Sequence, residues 1–269
     1  LATIAEAHAE YIYQIDFSNY AKNSLSRRIT HVIKLFGLDN FDVLLKKIRA
    51  ENEFKDKFLN EITVGTTEIF RDPHFWIVLR NDVLAEIQKK KEKLKFWVCG
   101  CSTGEEIFTL AILLKELGLY DNSEIIATDL DPVSIEHAKR GFYYNFSYQQ
   151  NLDNSREFNG LKDLEYYSVK SKLGYQMDID LLKNVRFQKY DLVKDRFELI
   201  FDLVLCRNVM IYFNQNLQNK TLKKIKSNIC ENGFLALGTK ESIMWLDESI
   251  NFKSFHSKEK IYRLERTIS

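Results

Sequence analysis

The 269-residue sequence has no run of about 18 apolar residues, so nothing in it is expected to cross a bilayer. It also lacks an excess of either charge: Lys+Arg 39 against Asp+Glu 38 leaves +1. A near-neutral balance gives no global attraction to nucleic acid or a membrane surface. The opening "LATIAEAHAEY" has neither the charged start nor the apolar core of a secretory leader. Four cysteines (Cys99, Cys101, Cys206, Cys230) form no C-x-x-C pair and have no His or Cys partner at short spacing. Zinc binding and thiol catalysis are therefore not expected, and the cysteines read as small buried residues of a reducing, cytoplasmic setting. What is present is 45% hydrophobic residues, enough for a sizeable core in one large domain or one small plus one medium domain.

Residues 1–90 have a helical period throughout. In "SLSRRITHVIKLFG" the apolar residues Leu25, Ile29, Val32, Ile33 and Phe36 share a stripe, with Ser24 as cap and Gly37 as stop. After Pro73, "HFWIVLRNDVLAEIQKKKEKL" predicts one longer helix. From Lys95 short apolar runs ("KFWVC", "EIIATD", "VRFQKYD", "LIFDLVLC", "GFLALGT", "KIYRLE") alternate with helical patterns. That alternation predicts an α/β fold with a mostly parallel sheet and helices on both faces. Residues 142–182, rich in Asn, Gln, Tyr and Ser, break the alternation and predict an inserted subdomain.

"VCGCSTGEE" places a strand, a glycine turn and a helix start in succession. The free N–H groups of such a helix end normally attract phosphate. Yet no lysine of a phosphate-binding loop and no G-x-G-x-x-G fingerprint is present. Glu105 and Glu106 at the helix mouth would repel a pyrophosphate and attract an ammonium or sulfonium. S-Adenosylmethionine carries both cations and no phosphate. Asp129, about 25 residues on at the end of "IIATD", has the spacing of an acid that accepts from ribose hydroxyls. An Asp there is more often a helix cap, but Asp131 before Pro132 is the better cap and frees Asp129.

Four segments, "TTEIFRD" (66–72), "GCSTGEEIFTLA" (100–111), "ATDLDPVSIEHAKRGFY" (127–143) and "FDLVLCRNVMIYF" (201–213), together with "SLSRRI" and "NGFLALGTKES", resemble the chemotaxis-receptor glutamate methyltransferases, the CheR family. The resemblance covers about residues 10–265. It implies an all-helical domain over 1–75 and a Rossmann-like S-adenosylmethionine-dependent domain over 76–269, with 142–182 as a small inserted β-subdomain. The implied activity is methyl esterification of receptor glutamates, leaving S-adenosylhomocysteine, with no metal. Thr67 and Arg71 fall at the methionine carboxylate end and the transfer site, Glu105 at the amino end, and Asp129 at the ribose. Asp191 and Leu192 flank the adenine, and Arg207, Asn208 and Tyr212 close the pocket beside the transferable methyl. Departures are Gly65 for a frequent Asn, Ile69 for the first aromatic of Phe-Phe-Arg, "GEEIFT" for Gly-Glu-Glu-Pro-Tyr-Ser, and Asp191 for Asn.

The resemblance assigns Arg71 to gripping a carboxylate with its planar fork and Tyr212 to orienting the acceptor. Taken singly, Arg71 reads first as an ordinary interdomain ion pair with Asp72, and Tyr212 as a core aromatic with one bonded tip; the resemblance reverses that preference. Lys22, Arg27, Arg28, His31 and Lys34 make the helix over 22–34 basic. That is either a solvated face or, as the resemblance implies, a dock for the cytoplasmic helical domain of a chemoreceptor. An Asn/Asp-Pro-Pro-Tyr motif and a large basic stripe are both missing, against nucleic-acid methylation. A cofactor-binding interaction module with little methyl transfer, or a methyltransferase for a non-receptor protein, stays open as an alternative.

Overall fold

The computed structural model describes residues 22–51, 54, 58, 67–89 and 93–265, without the side chains of Lys22, Asn23, Ser24, Leu25, Arg27 and Arg28. Helix α1 (Lys22–Leu35) already contains Ser24, which therefore lies inside the helix and not at its cap. Gly37, at φ +60, ends it, and the Leu38 N–H closes the turn on the Ile33 carbonyl. Asn40 caps α2 (Phe41–Ala50) by accepting from the Val43 N–H at 3.0 Å. The two helices bury Ile29, Val32, Phe41, Leu44 and Ile48 with Phe54 and Phe58, and Leu130 from the larger part of the chain packs against this cluster. Asp72 (φ 56) turns the chain into α3, which runs through Pro73–Val78, a π-helical turn at Leu79–Val83, and Leu84–Ile87.

Strands β1 (Leu94–Cys99), β2 (Ser123–Asp129), β6 (Val185–Lys189), β7 (Phe201–Cys206) and β8 (Ile229–Leu237) pair in parallel in the order β6-β2-β1-β7-β8. Two antiparallel strands, β10 (Ile261–Leu264) and then β9 (Phe252–His256), extend the β8 edge. Alternation along β1 decides which side chain goes where. Phe96 and Val98 enter the layer shared with α3, α4 (Glu105–Glu116) and α5 (Pro132–Arg140). Trp97 and Cys99 enter the opposite layer, against Leu217, Leu222 and Ile225 of α7 (Gln215–Ser227). Trp97 is the anchor there. Its ring lies within 5.1–5.7 Å of Phe197, Phe201 and Tyr190, and its Nε1–H donates to the Thr128 hydroxyl at 2.9 Å, so the indole is buried without an orphaned donor.

Between β2 and β6 the chain makes a small antiparallel sheet, β3 (Phe142–Tyr144), β4 (Ser168–Lys170) and β5 (Gly174–Met177), ordered β3-β5-β4, with helix α6 (Tyr148–Phe158). The architecture is thus a mostly parallel sheet with helices on both faces, a small inserted β-subdomain and an N-terminal helical part. Among the described residues, no helix is long and apolar enough to cross a membrane.

Candidate active site

The strand order reverses at β1, whose neighbours β2 and β7 carry their connections to opposite sides, and ligands bind outside the carboxyl ends of strands at such a point. A cleft of about 200 Å³ lies there. Its walls come from the β1, β2, β6 and β7 ends, and the segment Thr67–Trp76 closes one side.

The β1 turn is held open by glycine and by Asp129. Gly100 sits at φ +65, and a Cβ on it would meet Val209 Cγ2 at 2.7 Å. Gly104 starts α4 at φ +97, where a Cβ would approach Ala138 Cβ at 2.7 Å and its Cα at 2.9 Å. The Asp129 carboxylate accepts from the Ser102 N–H (2.7 Å) and the Asp131 N–H (2.9 Å), so it braces the turn while lining the cleft. Burial raises its pKa, and those two N–H groups pull it back down. Asp131 caps α5 through the Val133 and Ser134 N–H groups, both at 3.0 Å, leaving Asp129 the remaining acceptor capacity of its oxygens.

The two carboxylates at the α4 mouth part company. Glu106 lines the cleft, whereas Glu105 does not. Glu105 is 6% exposed, accepts from the Thr103 hydroxyl at 2.7 Å, and adds to the burial that lifts the Tyr143 and Tyr175 phenols. Glu106 and not Glu105 therefore faces the cleft, because one residue step turns a helix by about 100°. Burial pushes the Glu105 carboxyl up to about 7. A folded-state value above the ordinary 4.5 means this carboxyl's contribution to stability is complete below pH 4.5 and is lost as pH rises through about 7. Glu105→Gln, which keeps an acceptor for Thr103, is therefore expected to stabilise the protein at pH 8 by up to about 3 kcal/mol and hardly at pH 4. Urea unfolding at the two pH values checks this, and an equal difference at both would refute it.

Arg207 at the β7 end is buried, its side chain 3% exposed. Its guanidinium donates to Asp72 Oδ2 (2.7 Å) and Glu106 Oε1 (3.1 Å) and stacks 4.0 Å above the Phe75 ring. Asp72, considered above as a partner of Arg71, thus pairs with Arg207. Burial raises the Glu106 carboxyl, opposed chiefly by this arginine. Asn208 stands in the left-handed region at φ 60. Asp191 and Leu192 line the far end, where Asp191 Oδ1 accepts from the Val193 N–H at 2.7 Å. Tyr212 lines the wall beside Arg207 and Asn208.

The segment bearing Thr67 and Arg71 is tied to the inserted subdomain. Asn151 of α6 accepts from the Ile69 N–H (3.0 Å), and Asn154 donates to Glu68 Oε2 (2.9 Å) and the Ile69 carbonyl (3.1 Å). The Tyr143 hydroxyl donates to the Thr103 carbonyl at 2.8 Å, and so reaches the β1 turn from the same side. Gly65 lies outside the described residues. Of the basic set on α1, His31 and Lys34 are exposed, and the side chains of Lys22, Arg27 and Arg28 are outside what is described.

Eight of the nine expected site residues (Thr67, Arg71, Asp129, Asp191, Leu192, Arg207, Asn208, Tyr212) line one cleft, and Glu105 lies outside it. The sequence placed both Glu105 and Glu106 at the helix mouth but did not show which turns inward, because α4 is buried almost all round and shows no polar face to orient it. Sequence reasoning missed Asn151 and Asn154, whose composition signalled only an irregular insertion. Among the described residues lining the cleft, Glu68, Glu106, Asp129 and Asp191 supply negative charge, Arg71 and Arg207 positive charge, and none is lysine. This lining fits a phosphate-free nucleoside that bears cations and one carboxylate, as S-adenosylmethionine does.

Comparison with known proteins agrees. Residues 65–261 match the CheR methyltransferase S-adenosylmethionine-binding domain, and residues 9–63 match the CheR methyltransferase all-alpha domain. The Pseudomonas putida protein Cher3 is 35% identical over 251 residues, covering 93% of this chain and 92% of that one. The chemotaxis protein methyltransferase of Listeria innocua is 30% identical over 233 residues (86% and 85%), and that of Borreliella burgdorferi is 27% identical over 244 residues (86% and 84%). With both domain matches spanning most of its length, and a cleft suited to the cofactor, the chain belongs to the CheR family of S-adenosylmethionine-dependent methyltransferases.

Proposed function

We propose that this protein esterifies glutamate side chains of chemotaxis receptors with the methyl group of S-adenosylmethionine, in the cytoplasm. The observation that carries the reading is that Arg71 and Tyr212 line one cleft, a cation to hold a carboxylate and a hydroxyl to orient it. A carboxylate acceptor is already ionised at neutral pH and needs no general base, so such a site suits it.

Bound S-adenosylmethionine supplies a methyl group on a positively charged sulfur. Asp129 holds the ribose hydroxyls, Asp191 and Leu192 flank the adenine, and Glu106, in place of Glu105, faces the amino group. Thr67 and Arg71 bind the methionine carboxylate end, and Tyr212 orients the acceptor. Arg207 keeps Asp72 and Glu106 paired and fixes the wall on which Asn208 stands. The closed wall of Thr67–Trp76 excludes water from a reaction in which opposite charges merge. Alignment supplies much of the remainder, on the order of 7–11 kcal/mol for reactions of this kind. The division into 1–75 and 76–269, with 142–182 inserted, and receptor docking on the basic helix 22–34 belong to the same proposal. The names of the Listeria and Borreliella relatives support it.

Incubation with methyl-labelled cofactor and receptor fragments is expected to yield label that mild base releases as methanol. Base-stable label would replace esterification with N-methylation. Cofactor binding without transfer to any receptor fragment would make the protein a binding module instead.

A further inference from the structure

Behind the cleft wall, Glu241 is 5% exposed and does not reach the cleft. Its Oε2 accepts from the Asn208 N–H at 2.7 Å and the Gly238 N–H at 2.6 Å, and its Oε1 accepts from the Ile211 N–H at 3.1 Å. One carboxylate therefore ties the end of β8 to both ends of the turn Asn208–Ile211, the turn that presents Asn208 and Tyr212 to the cleft. Asn208 is held at φ 60, a conformation costly for a residue with a Cβ, so something must compensate for it. The approach is close: a Cβ on Gly238 would lie 2.7 Å from Asn208 Nδ2 and 2.9 Å from Glu241 Oε2. A buried carboxylate among backbone N–H groups is a rigid brace, since each bond is charge-assisted and water does not compete.

From this geometry we infer that Glu241 is a positioning residue of the transfer site, which sets Tyr212 and Asn208 by clamping their turn from behind. The inference rests on the receptor-esterification reading only where turnover is measured.

Glu241→Gln is the informative variant. Its amide oxygen can keep the Asn208 and Gly238 bonds, but its NH₂ then faces the Ile211 N–H, donor against donor. Hydrogen exchange by NMR is expected to accelerate at least tenfold at Ile211–Phe213, with β1 unchanged. Adenosylhomocysteine affinity by calorimetry is expected to stay within threefold. Methyl transfer to receptor fragments is expected to fall at least tenfold in kcat, with the KM for S-adenosylmethionine unmoved. Unaltered exchange at Ile211–Phe213, or a turnover loss equal only to the unfolded fraction, would overturn the role. So would faster exchange with normal turnover. If the wild-type protein methylates no receptor fragment, the esterification reading fails while the exchange and affinity measurements still decide Glu241.

Discussion

Arg207→Met is expected to destabilise the protein by about 3 kcal/mol, the lower edge of what removing one partner of a buried ion pair costs. Glu106 carries most of this. Its side chain is 13% exposed, whereas Asp72, at 35%, regains water when its partner goes. For a chain of this size such a loss lowers Tm by roughly 6–12 °C. Arg207→Lys keeps the charge but has no planar fork to span two carboxylates and no flat face to lie on Phe75, so it should recover only part of the loss. Adding Asp72→Asn and Glu106→Gln to Arg207→Met removes the orphaned charges and should restore most of the stability. Thermal unfolding of the series checks the argument. A methionine variant within the scatter of the wild type would show that Asp72 and Glu106 do not depend on this arginine.

Asp129→Ala is expected to weaken adenosylhomocysteine binding tenfold or more, on the scale of about 1.5–3 kcal/mol for a lost charge-assisted hydrogen bond. Two effects act together. In the proposed binding mode the ribose loses its acceptor, and the Ser102 and Asp131 N–H groups lose theirs, so the β1 turn loosens under the ligand. Asp129→Asn separates the two poorly, because an amide NH₂ would point at one of those N–H groups. It should therefore behave nearly like alanine. Calorimetry well below the unfolding temperature decides the matter, and unchanged affinity would remove Asp129 from the binding site.

The central parallel strands β1 and β7 were legible because they are nearly continuous apolar runs, the pattern expected when both faces are covered. Strand β9, "FKSFH", escaped notice: it lies at the sheet edge with exposed Lys253 and Ser254, so its period is weak. The cleft lining was legible where a residue sits at a strand end, as with Asp129 and Arg207. It was illegible where orientation is set by packing. Nothing in "GEE" says which glutamate turns inward, and nothing in "TKES" says that Glu241 reaches back under a different loop. Such facts depend on tertiary contacts between segments 30 to 101 residues apart, which no local period encodes.

Asn151 and Asn154 have a last consequence. By gripping Ile69 and Glu68 they make helix α6 a buttress for the strap over the cleft, although α6 contributes no side chain to the cleft itself. Excision of 142–182 as a dispensable decoration would unhitch the strap, and it would also strip Tyr143, Phe158 and Tyr175 from the core that backs the sheet. A minimal version of this enzyme must therefore either keep that helix or re-anchor Ile69 by other means.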